Sequence, residues 1–121
     1  MKATELMIGD KVMVKVLSQI PDTYVLHTWT ANDYSRDIQV KPIPLTPEIL
    51  EKNGFIKVNS QRYDYGYPDT DCYVKVNPKK NMIHVNGRNA NSNLYSHSFV
   101  HELQRVLRLC GLDELANNFK L

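Results

Sequence analysis

Pro42-Ile43-Pro44-Leu45-Thr46-Pro47-Glu48-Ile49-Leu50-Glu51-Lys52-Asn53-Gly54-Phe55 divides this chain and decides how the rest is read. It reads as the end of a strand, a short helix and the start of another strand. Thr46 is the N-cap, because its hydroxyl can accept from free amides of the first turn. Pro47 suits the first helical position, where its missing N–H would be unbonded anyway. Glu48 sits where the helix dipole favours a negative charge. Leu45 and Leu50 are spaced for a hydrophobic staple across the cap. Gly54 can take the left-handed conformation that closes a helix, and Asn53 before it is a poor helix former.

On the N-terminal side the pattern is strand-like. Lys11 to Ile20 alternates, with Val12, Val14 and Val16 apolar, as in a half-buried strand. Pro21-Asp22 makes a turn. Tyr24 to Trp29 is rich in β-formers and reads as a second strand. Asn32 to Asp37 reads as a loop, and Ile38 to Ile43 as a third strand. Three short strands in succession suggest a meander or small barrel. Gly9-Asp10-Lys11-Val12 ahead of them looks like the opening of SH3-like barrels, although a simple turn before a strand is the preferred reading.

On the C-terminal side Phe55 to Val58 reads as a strand. Gln61 to Asp71 begins strand-like, because its tyrosines alternate, and becomes a loop at Pro68. Cys72 to Val76 and Met82 to Val85 are two strands joined as a hairpin through Asn77-Pro78-Lys79-Lys80-Asn81. Asn86-Gly87 is a turn, and the Asn-rich run Arg88 to Asn93 reads as a mobile connection. A second helix spans about Phe99 to Cys110, with Ser98 as N-cap. Phe99, Val100, Leu103, Val106, Leu107 and Cys110 share one face at 100° per residue. Gly111 stops it, and Asp113 to Phe119 reads as a last short helix.

Three segments carry a resemblance: Leu6-Met7-Ile8-Gly9-Asp10-Lys11-Val12, the central Pro42–Phe55 stretch, and Val100-His101-Glu102-Leu103-Gln104. On these the chain resembles a family of small uncharacterised proteins encoded in prophages and mobile elements of gut-type bacteria. The likeness covers almost the whole chain. It departs at Arg105-Val106-Leu107-Arg108-Leu109-Cys110, where family members tend to be more aromatic. The resemblance implies provenance only, because the family has no established activity or catalytic residues to carry over.

Length and composition bound the function. A chain of 121 residues fits one domain, strand-rich over 1–45 and carrying the helix, hairpin and C-terminal helix over 46–121. Net charge is +2; residues 1–60 hold seven basic and seven acidic side chains, and residues 61–121 hold eight and six. A dedicated nucleic-acid or membrane binder usually shows a stronger basic bias. Cys72 and Cys110 sit in apolar patterns and read as reduced core thiols of a cytoplasmic protein. No apolar run approaches the ~20 residues of a membrane span, and Met1 to Glu5 lacks a signal peptide's apolar core.

Three constellations stand out. Tyr63, Tyr65, Tyr67 and Tyr73, interspersed with Asp64, Asp69 and Asp71, form the oddest local composition. Tyrosine gives rigid contact area at low entropy cost, which suits a protein-binding surface; the alternative is one aromatic strand face on the core. The three aspartates could hold a divalent cation, but an acidic loop explains them as well. Second, Lys75, Lys79, Lys80 and Arg88 form a basic run, and His97, His101, Arg105 and Arg108 align opposite the apolar face of the C-terminal helix. If hairpin and helix meet, the two runs make one patch for phosphates; otherwise they are solvated surfaces that discourage aggregation. Third, His97 and His101 have the i, i+4 spacing of a shared metal, without a third ligand or a His-Glu-x-x-His motif.

No nucleophile elbow or glycine-rich phosphate loop is present, so no catalytic residue and no cofactor are expected. The sequence therefore predicts an α+β fold. It has about six or seven short, mostly antiparallel strands, a central helix and a C-terminal helix. The first strands form an SH3-like barrel or part of one sheet. The expected function is a non-enzymatic interaction protein acting through the tyrosines. The alternatives are a nucleic-acid-binding accessory protein using the basic runs and, more remotely, a metal-dependent enzyme at His97 and His101.

Overall fold

The computed structural model describes residues 6–16, 23–35, 39–66, 72–80, 82–87, 91–95 and 99–121. The central stretch folds as its caps dictate. Helix α1 spans Pro47–Lys52, and the Thr46 hydroxyl accepts from the Ile49 amide at 3.3 Å. Gly54 closes it at φ 85°, and Leu50 is fully buried. Asn53 adds a distant tie: its amide donates to the Lys120 carbonyl, and its oxygen accepts from the Lys120 amide, each at 2.8 Å.

The strands fall into two antiparallel sheets, and the α+β class expected from the sequence is what forms. The first sheet holds β1 (Lys11–Val16), β2 (Thr23–Thr28) and β3 (Val40–Lys41) in the order β2-β1-β3. The second holds β4 (Ile56–Lys57), β5 (Tyr63–Gly66), β6 (Cys72–Asn77), β7 (Met82–Gly87) and β8 (Asn91–Tyr95) in that order. Helices α2 (Val100–Leu109) and α3 (Asp113–Asn117) complete the described chain.

Four expectations need correction. The first three strands are not a meander: β3 returns to the far side of β1, so β1 is central. Among the described residues they are neither a barrel nor continuous with the second sheet, since the three strands form a sheet of their own. Asn32 to Ser35 is not a loop but most of a 3-10 helix over Ala31–Ser35, closed on the Thr30 carbonyl by the Asp33 amide. Asn91 to Asn93 of the Asn-rich run are not a mere connection, because Asn91–Tyr95 is a strand in register with β7, Ile83 opposite Leu94; the start of the run lies outside the described residues. Weak β-formers are overridden there by a partner strand that offers a full ladder. Helix α2 begins at Val100, and the Glu102 carboxylate accepts from the Phe99 amide at 3.3 Å; Ser98 lies outside the described residues.

Two cores result. The larger is the inner face of the second sheet, with Tyr63, Val74, Val76, Ile83 and Val85, covered by Leu50 of α1, by Val100, Leu103, Val106 and Leu107 of α2, and by Ala116 of α3. Cys110, a free thiol, packs half-buried at its edge. The smaller lies under the first sheet and holds Leu6, Val12, Trp29 and Val40.

A polar joint connects them. Gln104 on α2 is fully buried; its Nε2 donates to the Gly9 carbonyl at 2.9 Å and the Ala116 carbonyl at 2.7 Å, and its Oε1 accepts from the Lys11 amide at 2.8 Å. Beside it Arg108 Nη1 donates to the fully buried Asp10 carboxylate at 2.6 Å. Gly9, at φ 94°, is needed for this approach, because a Cβ there would stand 2.9 Å from Asn117 Oδ1. Among the described residues no helix is long and apolar enough to cross a membrane.

Candidate nucleic-acid interface

Alternation in β1 sorts its side chains into two faces. Asp10, Val12 and Val14 turn inward with Trp29 and Val40, while Lys11, Met13 and Lys15 turn outward. Pairing extends the outer set. Lys11 faces Thr28, Met13 faces Leu26 and Lys15 faces Tyr24 on β2, and Met13 faces Lys41 on β3. Directly paired residues share a face. The outer face is thus a lattice centred on Met13, with three lysines around it and no carboxylate from the described strands of the sheet.

Two of the lysines are held, not splayed. Lys11 Nζ donates to Thr28 Oγ1 at 2.6 Å. Lys41 Nζ lies 4.0 Å from the centre of the Tyr24 ring, a cation–π contact made diagonally over β1. An ammonium has three donors, so one such bond leaves Lys11 two more. The face combines point charges suited to phosphate oxygens with an aromatic and two aliphatic side chains, Met13 and Leu26, suited to bases.

The inner side of this sheet carries a second polar cluster. Asp33, buried in the 3-10 helix, accepts from His27 Nε2 at 2.7 Å, from the Thr30 amide at 2.7 Å and from the Thr30 hydroxyl at 2.9 Å. Burial pushes its pKa up, but the bonds from His27 and Thr30 outweigh burial and leave it below the ordinary 3.8. A carboxyl whose folded pKa is depressed contributes stability that is fully present above the unfolded value. That contribution is lost as pH falls through the folded one. Asp33→Asn should therefore remove part of the stability loss seen by thermal melts below about pH 4. An acid limb unchanged by the substitution would show that other carboxylates control it.

The residues singled out in the sequence are placed differently. Tyr63 is 4% exposed and part of the main core, so it is not a contact surface. Tyr65 is half-buried and tilted against Phe55, ring centres 5.4 Å apart. Tyr73 is buried on the opposite face and donates to Asp64 Oδ2 at 2.5 Å; that bond and burial raise its pKa. Arg62 Nη2 donates to the same carboxylate oxygen at 3.0 Å, so Asp64 is an internal partner and not a free cation ligand. Tyr67, Asp69 and Asp71 lie outside the described residues.

The basic runs do not merge. Val74 and Val76 face α2, so Lys75 between them points away from the helix, its Nζ 5.1 Å from the Tyr73 ring centre. Lys79 and Lys80 are exposed on the 3-10 turn Pro78–Lys80 at the hairpin tip. His101 is 5% exposed and stacks on Phe99 at 5.9 Å, so it belongs to the interior and not to a basic stripe. Arg105 is half-buried, and Arg108 is neutralised by Asp10. The helix face taken as solvent-exposed instead packs against β1. Arg88 and His97 lie outside the described residues, and among the described residues no group of three His, Cys, Asp or Glu could hold a metal.

A groove of about 570 Å³ runs along this joint, lined by Met7, Ile8, Tyr34, Arg108, Asp113 and Asn117. Among the described residues its one cation, Arg108, is the one paired with Asp10, so they offer no free positive charge to a phosphate there. The lysine face was foreshadowed by the Lys-x-Met-x-Lys alternation of Lys11 to Lys15. What the sequence could not supply was Lys41, which joins only because β3 passes β2 to pair with β1. No protein-family model matches this chain, and neither a curated protein nor a solved structure is significantly similar to it.

Proposed function

We propose that this is a non-enzymatic, cytoplasmic nucleic-acid-binding accessory protein of a prophage or mobile element, and that it holds single strands on the outer face of β2-β1-β3. The observation that carries the proposal is the placing of Lys11 and Lys41 on one sheet face with Tyr24, without a carboxylate from the described strands. An overall charge of only +2 is no obstacle, because phosphate contacts depend on the local patch. A flat face with a ring and aliphatic side chains suits unstacked bases, whereas duplex grooves are entered by a helix or a two-stranded ribbon.

The charge count sets the expected size. Each phosphate neutralised on a single strand contributes about 0.7 to the slope of log affinity against log salt. Lys11 and Lys41 alone give a slope near 1.4, so binding of a fluorescent single-stranded oligonucleotide should weaken roughly 7-fold between 50 and 200 mM salt. Lys11→Ala with Lys41→Ala should lower the slope by about 1.4 and weaken binding to all sequences alike. Lys79→Ala with Lys80→Ala at the hairpin tip should leave both unchanged. If the hairpin pair abolishes binding and the sheet pair does not, the proposed face is wrong.

A further inference from the structure

The edge of the first sheet points to a second partner surface. Among the described residues β2 has a single neighbour, β1. Its hydrogen-bonding parity follows from Trp29, whose amide donates to the Asp10 carbonyl and whose carbonyl accepts from the Gly9 amide, both at 2.8 Å. Odd residues of β2 therefore use their backbone groups on β1. By alternation Tyr24, Leu26 and Thr28 aim theirs outward. The strand, Thr23-Tyr24-Val25-Leu26-His27-Thr28, contains no Asp, Glu, Lys or Arg. Val25 is 44% exposed and Leu26 is 54% exposed, on opposite faces. Folds normally blunt such an edge with a charge, a proline or a bulge.

We propose that β2 pairs antiparallel with β2 of a second copy of this chain, about a two-fold axis at Leu26. Geometry narrows the register. Residues directly opposite must share a face, so the axis passes through a residue and not between two. Outward backbone groups belong to Tyr24, Leu26 and Thr28, and only Leu26 centres the overlap. Leu26 then faces Leu26 of the second copy, and Tyr24 faces its Thr28. Val25 lies beside its His27 between the hydrogen-bonded pairs. No charge opposes a like charge, and each outward amide meets a carbonyl. A foreign strand would need a matched pattern, whereas every copy already carries this one. The axis is normal to the sheet, so both lysine faces lie on the same side of a six-stranded sheet. The pairing stands independently of nucleic-acid binding, but it would double that face.

One strand pair buries less than the roughly 1,600 Å² of a standard interface, so the dimer is expected to be weak and concentration-dependent. Sedimentation of the full chain from micromolar to near-millimolar concentration should show monomer passing into dimer. Leu26→Lys should remain monomeric with an unchanged Tm, since the side chain is more than half exposed. In an antiparallel hydrogen-bonded pair the Cα atoms are ~5.5 Å apart, within disulfide range. Leu26→Cys should therefore cross-link to itself under mild oxidation well above the unsubstituted chain. Tyr24→Cys should not, because four residues of offset hold its two copies about 13 Å apart. A monomer at every concentration, a dimer that survives Leu26→Lys, or a Leu26→Cys chain that cross-links no better than Tyr24→Cys would each overturn the proposal.

Discussion

Gln104→Leu is expected to lower stability by about 4 kcal/mol, although the substitution conserves volume in a buried site. Three backbone groups lose their partner at once: the Lys11 amide, the Gly9 carbonyl and the Ala116 carbonyl. An orphaned buried group costs about 1–3 kcal/mol. Ala116 is fully buried and belongs at the upper end of that range; Gly9 and Lys11 are half-buried and belong near its lower end. Such a loss is a large fraction of the ~5–15 kcal/mol typical of a domain.

A second readout separates a joint from an ordinary core position. Trp29 is the only tryptophan and lies in the smaller core. Its fluorescence follows the first sheet, while far-UV circular dichroism follows the whole chain. In wild type the two urea transitions should coincide. In Gln104→Leu the fluorescence transition should come first, because the sheet that Gln104 pins to α2 and α3 loosens before the larger core does. A loss under 1 kcal/mol with coincident transitions would show that the two cores are joined by other contacts.

What the sequence revealed was local. The Thr46–Pro47–Leu50–Gly54 set reads the same in the chain and in the structure, because caps and staples act within a turn or two. The hairpin of β6 and β7 was legible because both strands alternate. What failed depended on distant partners. A helical wheel assumes one packed face, but α2 has the second sheet on one side and the start of β1 on the other. His101 and Arg108 were therefore assigned to solvent and found inside or paired. Asn91–Tyr95 has little strand propensity of its own and is a strand through pairing with β7. The tyrosines misled in another way. Tyr63 and Tyr65 alternate as an exposed recognition strand would, but the same period describes an aromatic face turned to a core. Aromatic alternation cannot distinguish the two until the face opposite is known.

The same reasoning about distant partners gives the other large effect. Asp10→Ala should cost about 3 kcal/mol. Asp10 Oδ1 holds Arg108 Nη1 at 2.6 Å, and Oδ2 accepts from the Met7 amide at 2.8 Å, closing the turn that leads into β1. Removing the carboxylate leaves a guanidinium whose side chain is only 13% exposed without its counter-ion. Breaking a buried pair from one side typically costs 3–5 kcal/mol; the low end applies because Arg108 borders the groove and water can reach it.

Arg108→Met should cost less, about 2 kcal/mol, since Asp10 would keep the Met7 amide as donor. The double substitution should cost about 3 kcal/mol and not the sum, because most of each single penalty is the stranded partner. The cycle is read by urea unfolding. Additive singles would mean that the two charges do not interact across the joint, and that Asp10 acts through the turn alone. The distinction bears on the lysine face. If the coupling is large, the position of Lys11 is set from α2 through Arg108, and Arg108→Met should weaken oligonucleotide binding without removing any lysine. If Asp10 acts only on its own turn, the first sheet holds its lysines in place without help from α2.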